Sequence, residues 1–130
     1  MTRLHHLALG SSSVEQLAEF YHRLFDLPEV ARHHDDAGKL RSIWLDLGGV
    51  WLMIERSEGA SRDAVGAREG LFLFALRVTP TERQRLERLL ETLGHAIESR
   101  SAYTSYARDP DGNRFAFSHH PDAAEAEHGG

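Results

Sequence analysis

Apolar and polar residues alternate in several short segments of the chain, and in others apolar residues recur every three or four positions. Alternation over Leu4–Leu9, Leu40–Leu47 and Val50–Glu55 predicts strands with one buried face, and EVARHH from Glu29 is a weaker strand signal. Helical spacing from Val14 to Phe25 predicts a helix after the first strand. The first half of the chain is therefore predicted to have the order β-α-β-β-β.

Local signals mark where these elements begin and turn. Ser12, followed three residues later by Glu15, is a capping-box pattern at the start of the helix. The pair Gly48-Gly49 predicts a two-residue hairpin between the third and fourth strands.

The same order recurs in the second half. LFLFALRV from Leu71 predicts a strand, and Thr79-Pro80-Thr81-Glu82 predicts a capped helix that ends at Gly94. AIESR and TSYAR predict two short strands. Asp109-Pro110-Asp111-Gly112 has the composition of a type I turn before the last strand, RFAFSH.

The two halves also match residue by residue, which indicates an internal duplication. His6-Leu7-Ala8-Leu9 corresponds to Leu73-Phe74-Ala75-Leu76, and Gly49 corresponds to Gly112. We therefore predict one domain over residues 1–120, with module one at 4–55, a linker at 56–69 and module two at 70–120. Residues 121–130 are predicted to form a flexible tail.

Composition excludes several function classes. The 130 residues are 41% hydrophobic and carry a net charge of −5, without the basic stripe of a nucleic-acid-binding protein. The absence of cysteine excludes disulfides, thiolate metal sites and a cysteine nucleophile, and it fits a reducing compartment. The chain shows no signal peptide and no membrane-spanning run, so we expect a cytoplasmic protein with neither nucleic acid nor membrane as partner.

Four segments together resemble the vicinal oxygen chelate superfamily, which includes glyoxalase I, the fosfomycin and bleomycin resistance proteins, extradiol dioxygenases and methylmalonyl-CoA epimerase. The segments are LHHLALG, EFYHRLFDL, LDLGGVWLMIE and ARDPDGNRFAF, although Asp26 stands where the family usually has glycine. The resemblance covers residues 4–120 and implies an α+β fold. In this fold two tandem β-α-β-β-β modules form curled sheets around a cavity, often in a homodimer. The family includes both enzymes and metal-free binding proteins, so the fold does not decide the activity.

The resemblance also implies where a divalent metal would bind, on the first and fourth strands of each module. The matching positions are His6, Met53, Leu73 and Ala116. Only the histidine carries a donor suited to hard or borderline ions. Glu55 lies two residues beyond Met53 on the same strand face, so a register shift of two would make His6 and Glu55 a half-site. Since two protein ligands hold a metal weakly, we expect no resident metal and keep a site at His6 and Glu55 as the alternative.

Strand alternation places a mixed set of side chains on the sheet faces that point away from the helices. The expected ligand-contacting residues are His6, Trp44, Trp51, Met53, Glu55, Leu73, Arg77, Tyr106, Arg114 and Ala116. Aromatic walls with few polar groups are typical of small-molecule pockets and can stack on a planar or cationic ligand. The alternative is that these large side chains fill the cavity or form a dimer contact.

The other histidines are expected to have no role in the site. His5 should point to the face opposite His6. His33 and His34 should belong to a solvated turn with Asp35 and Asp36, and the pair His119-His120 should be an ordinary strand end.

No catalytic residue is assigned, because the chain has neither a phosphate loop nor a nucleophile elbow. His6 with Glu55 or Tyr106 could act as a metal-free acid-base pair. Three hypotheses follow. The favoured one is a metal-independent protein that binds a small organic molecule, as the bleomycin-resistance branch does. The others are a divalent-metal-dependent lyase, isomerase or dioxygenase, and a subunit with a filled cavity and a role in assembly.

Overall fold

The computed structural model describes residues 3–57 and 71–122. The chain divides into two compact units, Met1–Asp63 and Ala64–Gly130. Most of the predicted linker at 56–69 and most of the predicted tail at 121–130 lie outside the described residues. In the described part of the chain, no helix has both the length and the apolar character needed to cross a membrane.

The first unit has the predicted β-α-β-β-β order. Its elements are β1 (His6–Ser11), α1 (Val14–Phe25), β2 (Glu29–His34), β3 (Leu40–Asp46) and β4 (Trp51–Arg56). The sheet order is β1-β4-β3-β2, in which β1 runs parallel to β4 and the other neighbours are antiparallel. Strand β4 is therefore central, between β1 and β3.

The core of this unit lies between α1 and one face of the sheet. Helix residues Leu17, Tyr21 and Leu24 are buried, and they lie at helical spacing on one side of α1. The apolar strand residues predicted to face the helix are buried as well, among them Leu9, Ile43, Leu45, Leu52 and Ile54. Each such side chain contributes about 1.5–3 kcal/mol relative to an exposed one, so this face fixes the sheet against the helix.

The predicted capping box of α1 is wrong. The helix begins after Ser13, whose side chain makes no capping hydrogen bond. The Ser13 backbone N–H instead donates to Ser11 Oγ at 2.9 Å. Glu15 does not complete a capping box, because its carboxylate pairs with Arg32 on β2.

The predicted hairpin is confirmed. The Leu47 N–H donates to the Val50 carbonyl at 2.7 Å, so Gly48 and Gly49 are the two central turn residues. Both have positive φ, +80° and +97°, as a type I′ turn requires. Asp46 Oδ1 accepts hydrogen bonds from both glycine N–H groups, which holds the turn at the end of β3.

The second unit repeats the topology. Its elements are β5 (Phe74–Arg77), α2 (Pro80–Thr92), β6 (Ser99–Arg100), β7 (Thr104–Arg108) and β8 (Arg114–Ser118). The sheet order is β5-β8-β7-β6, with β5 parallel to β8. Strand β6 is shorter than the predicted AIESR segment.

Register supports the internal duplication. Ala8 pairs with Met53 in the first unit, and Ala75 pairs with Ala116 in the second. Across the antiparallel neighbour, Trp44 pairs with Met53 and Tyr106 pairs with Ala116. Trp44 and Tyr106 are therefore equivalent positions of the two sheets.

The predicted capping box of α2 is confirmed. Thr79 Oγ1 accepts from the Glu82 N–H at 3.1 Å, and a Glu82 carboxylate oxygen accepts from the Thr79 N–H at 2.9 Å. The backbone hydrogen bond from Thr79 is the largest cause that lowers the pKa of Glu82 below its ordinary value. The helix ends at Thr92, and Gly94 follows with φ +87°.

A half-buried arginine attaches α2 to the strands. Arg83 donates to Ser105 Oγ at 2.8 Å and to the carbonyls of Ala102, Ser101 and Thr104. It also lies 3.1 Å from Nε2 of His119, which is only 3% exposed. Because guanidinium only donates, Nε2 of His119 is the acceptor. The expectation that His119 is an ordinary strand-end residue is therefore wrong, because its ring is buried and hydrogen-bonded to Arg83.

An ion-pair cluster joins the segment before β6 to β7 and β8. The Glu98 carboxylate accepts hydrogen bonds from Arg108 and Arg114. The bond from Arg114, followed by that from Arg108, holds the pKa of Glu98 below its ordinary value of 4.5.

Replacing the α2 cap should destabilise the protein more than replacing the α1 N-cap. We expect Thr79→Ala to lower the free energy of unfolding by about 1 kcal/mol, because the Glu82 N–H loses the side-chain oxygen that accepts its hydrogen bond. Ser13→Ala is the matched control and should change it by less than about 0.5 kcal/mol, since no side-chain cap exists there. Urea unfolding monitored by circular dichroism measures both, and equal losses would contradict the assignment.

The Glu98 cluster should contribute to the pH dependence of stability. The folded pKa is depressed, so the stabilisation is fully present above pH 4.5 and is lost as pH falls through the lowered pKa. Glu98→Gln should therefore unfold with a flatter dependence on pH below 4.5 than the unmodified protein. Thermal unfolding between neutral and acidic pH measures this, and parallel profiles for the two proteins would refute it.

Candidate functional site

The sheet face of the first unit that points away from α1 carries most of the candidate chemistry. Strand register arranges it in three rows across the sheet, each running from one strand to the next. We call this surface the first-unit face, and its residues are His6, Trp51 and Asp46 in one row, Ala8, Met53, Trp44 and Ala31 in the next, and Gly10, Glu55, Ser42 and His33 in the third.

A continuous series of aromatic rings crosses this face. The indoles of Trp44 and Trp51 are stacked, with centroids 5.2 Å apart and planes 28° from parallel. The His33 ring meets Trp44 edge-on at 4.8 Å, and the His5 ring meets Trp51 edge-on at 5.5 Å. These separations lie within the range of favourable aromatic pairs, which contribute about 0.5–1.5 kcal/mol each beyond burial.

The central indole is held by a carboxylate. Trp44 Nε1–H donates to Glu55 Oε2 at 3.1 Å across the β3–β4 pair. Glu55 is half-buried, whereas Trp51 at the other end of the stack is 38% exposed. The stack therefore has one end fixed by a hydrogen bond and one end open to a binding partner.

His33 occupies a different environment from the expected solvated turn, and that prediction is wrong. It is a half-buried residue of β2 that faces Ser42 across the sheet. Strand β2 continues to His34, so alternation turns the His33 ring onto the same face as Trp44. Its Nε2 atom is buried and has no hydrogen-bond partner within the described residues.

The expectation that His5 points away from His6 is also wrong. His5 precedes the first residue of β1 and is therefore not bound by strand alternation. Its Nδ1 lies 2.9 Å from Nδ1 of His6, and its ring contacts Trp51. Both histidines are exposed at the same edge of the first-unit face.

The proposed metal half-site is not brought together. His6 pairs with Trp51, whereas Glu55 pairs with Gly10, so the two residues lie four positions apart on adjacent parallel strands. At about 3.3 Å per residue this separates them by about 13 Å along the strands. The register shift that would have made them neighbours is absent.

The donor set does not fit the divalent metal that the family implies. Met53 and Ala116 occupy equivalent central positions in the two sheets, and neither offers a hard donor. Leu73 offers none either. In residues 3–57 and 71–122, no group of three His, Asp or Glu side chains is arranged to hold a metal ion.

The second unit places its predicted ligand-contacting residues on the equivalent face, but with different chemistry. Arg77 is exposed, and Tyr106 and Leu73 are half-buried. Arg114 is engaged by Glu98 and lies 4.7 Å over the Phe72 ring. Ala116 has no exposed surface, because it lies in the central strand between Ala75 and Tyr106, and it is not available to a ligand in this structure.

Two concavities lie away from these faces. One of about 460 Å³ runs beside α2, where Glu87 is already paired with Arg100. Burial opposes ionisation of Glu87, but hydrogen bonds from Arg100 and Ser105 outweigh it and keep its pKa below the ordinary value. The other, about 340 Å³, lies at the start of α1 beside Lys39 and Arg56. Neither combines aromatic surface with an uncommitted polar group.

Sequence reasoning missed two of the four rings in this series, His5 and His33. The signal for His33 was present, because Ala31 and His33 have the parity that alternation requires once β2 is extended to His34. No comparable signal exists for His5.

Solved structures similar to this chain come from the same group of proteins. A glyoxalase family protein from Enterococcus faecalis is 20% identical, with a TM-score of 0.73 over 89% of this chain and 96% of that one. Lactoylglutathione lyase from Agrobacterium tumefaciens is 18% identical, with a TM-score of 0.67 over 91% and 93%. A mutant of a genomically encoded fosfomycin resistance protein from Listeria monocytogenes, complexed with Mn(II) and 1S,2S-dihydroxypropylphosphonic acid, is 15% identical, with a TM-score of 0.73 over 100% and 99%. Identities this low establish a shared fold. They do not establish a shared activity.

A family model extends the comparison to the sequence itself. The model of the Glyoxalase/Bleomycin resistance protein/Dioxygenase superfamily matches residues 3–117, nearly the whole chain. The duplicated β-α-β-β-β topology agrees with that match. The chain belongs to the Glyoxalase/Bleomycin resistance protein/Dioxygenase superfamily, the vicinal oxygen chelate group.

Proposed function

We propose that the protein binds a small organic molecule on the first-unit face without a catalytic metal. The observation that carries the proposal is the stacked Trp44–Trp51 pair, of which one ring is anchored by Glu55 and the other is exposed. Large aromatic surface beside a few polar groups is how ligand sites are commonly built.

The uncommitted His33 nitrogen supports a binding role. A buried polar atom without a partner costs about 1–3 kcal/mol, so such atoms are retained where a ligand or water can serve them. This atom belongs to the ring that packs against Trp44. Aromatic area and unsatisfied hydrogen-bonding capacity thus occur at the same place.

A divalent-metal lyase, isomerase or dioxygenase is the second candidate. It is favoured by the Mn(II) complex of the similar Listeria protein. In this chain such a site would depend on His6, the one expected position with a suitable donor. The unsuited donors at Met53, Leu73 and Ala116 support the binding role over this candidate.

The proposal includes a homodimer in the cytoplasm. Dimers are common in the family to which the chain belongs, and a cysteine-free composition fits a reducing compartment. Light scattering after size-exclusion chromatography should give twice the mass of 14.6 kDa for one chain.

The purified protein should be free of stoichiometric metal and should still bind aromatic compounds. We expect dialysed protein to carry no equimolar divalent ion by elemental analysis, and to show saturable quenching with at least one member of a panel containing indole, benzoate, benzamide and benzamidine. Because the chain has only two tryptophans, both on the first-unit face, intrinsic fluorescence reports this site directly. An equimolar ion that survives dialysis and disappears in His6→Ala would favour the enzyme instead.

Aromatic substitutions should affect ligand binding in the first unit only. Trp51→Ala should weaken binding of any panel member that quenches by about tenfold, the loss expected for one desolvated aromatic contact. Tyr106→Phe, at the position equivalent to Trp44, is the control and should leave affinity within about twofold. Isothermal titration calorimetry measures both variants. A comparable loss in Tyr106→Phe would contradict the restriction to the first unit, and no loss in Trp51→Ala would place the ligand elsewhere.

A further inference from the structure

We propose that the first-unit face selects an organic cation with a flat apolar body. The inference rests on the proposed function, since it specifies the class of ligand that this face would take. It is carried by the charge and hydrogen bonding around the two tryptophans.

The stacked indoles supply the first part of the argument. The faces of aromatic rings are electron-rich and attract a cation that lies within about 6 Å of a ring centroid, with tryptophan the best partner. Trp44 and Trp51 present two such rings side by side, and Trp51 keeps 38% of its surface exposed. A flat cation can therefore cover Trp51 while its charge remains near Trp44.

The Glu55 carboxylate supplies the second part. Its hydrogen bond is with the neutral Trp44 Nε1–H, and no ion pair joins it to a Lys or Arg within the described part of the chain. Two other half-buried carboxylates are matched, in the pairs Asp35–Arg56 and Glu87–Arg100. Glu55 is thus a negative charge beside the stack that lacks a cation.

The charge of the whole face supplies the third part. The first-unit face contains Asp46 and Glu55 and includes no Lys or Arg. The second unit has arginines at two equivalent positions, since Arg108 corresponds to Asp46 and Arg114 corresponds to Trp51. The same topology therefore carries an acidic aromatic surface in one unit and a basic surface in the other, and only the first is suited to a cation.

Glu55 also has a structural role, because it fixes the Trp44 indole. This role requires only a hydrogen-bond acceptor, whereas cation recognition requires the negative charge. Glu55→Gln separates the two, since glutamine keeps an acceptor oxygen and loses the charge. Glu19→Gln removes the same charge from an exposed position on α1 and is the matched control.

The experiment compares benzamidine with benzamide, which have similar shape and differ in charge. We expect benzamidine to quench tryptophan fluorescence with an affinity at least about tenfold higher than that of benzamide. In Glu55→Gln this preference should fall to within about twofold, and in Glu19→Gln it should remain. Near-ultraviolet circular dichroism of each variant verifies that the tryptophan pair is intact.

Three outcomes would overturn the inference. Equal affinities for the two compounds would remove cation selectivity while leaving the binding role of the face in place. A preference that persists in Glu55→Gln would show that this carboxylate does not provide it. Failure of both compounds, with quenching by indole or benzoate, would exclude a cationic ligand without excluding a ligand.

Discussion

The register of β4 between β1 and β3 is the constraint on which the rest of the first unit depends. It places Trp51 beside His6 and Asp46, Met53 beside Ala8 and Trp44, and Glu55 beside Gly10 and Ser42. A slip of one residue would send Leu52 and Ile54 to the exposed face and Trp51 into the core. The burial of Leu52 and Ile54 against α1 therefore holds the aromatic stack in place from the opposite side of the sheet.

The two units show how one topology can carry two different surfaces. Strand order and register are repeated, and the buried face is mainly apolar in both. The outer faces differ, because packing constrains only the side that meets the helix. Trp44 corresponds to Tyr106, and Asp46 corresponds to Arg108. Membership of the superfamily consequently predicts the scaffold, while the site must be deduced from the outer face of each unit.

The sequence predicted the repeated scaffold better than it predicted the contacts on the outer faces. Apolar alternation and turn composition are local, and they identified the strands, the Gly48-Gly49 turn and the Thr79 cap. The Ser12 cap was wrong because a tertiary ion pair between Glu15 and Arg32 competes with the local motif.

The histidines depended on contacts that local patterns do not contain. His33 joins the aromatic series only because β2 extends to His34, and His119 is buried because Arg83 reaches it from α2. The Glu55–Trp44 hydrogen bond depends on cross-strand register, which no motif reports. A sequence therefore predicts which residues share a face more readily than which of them touch.

Nuclear Overhauser contacts of the Met53 methyl group in the metal-free protein test the β4 register most directly. The account predicts contacts from this methyl to the Ala8 methyl and to the Trp44 ring, since cross-strand neighbours lie about 5 Å apart. Contacts that instead place Glu55 beside Ala8, and hence near His6, would show a register shifted by two and would contradict it.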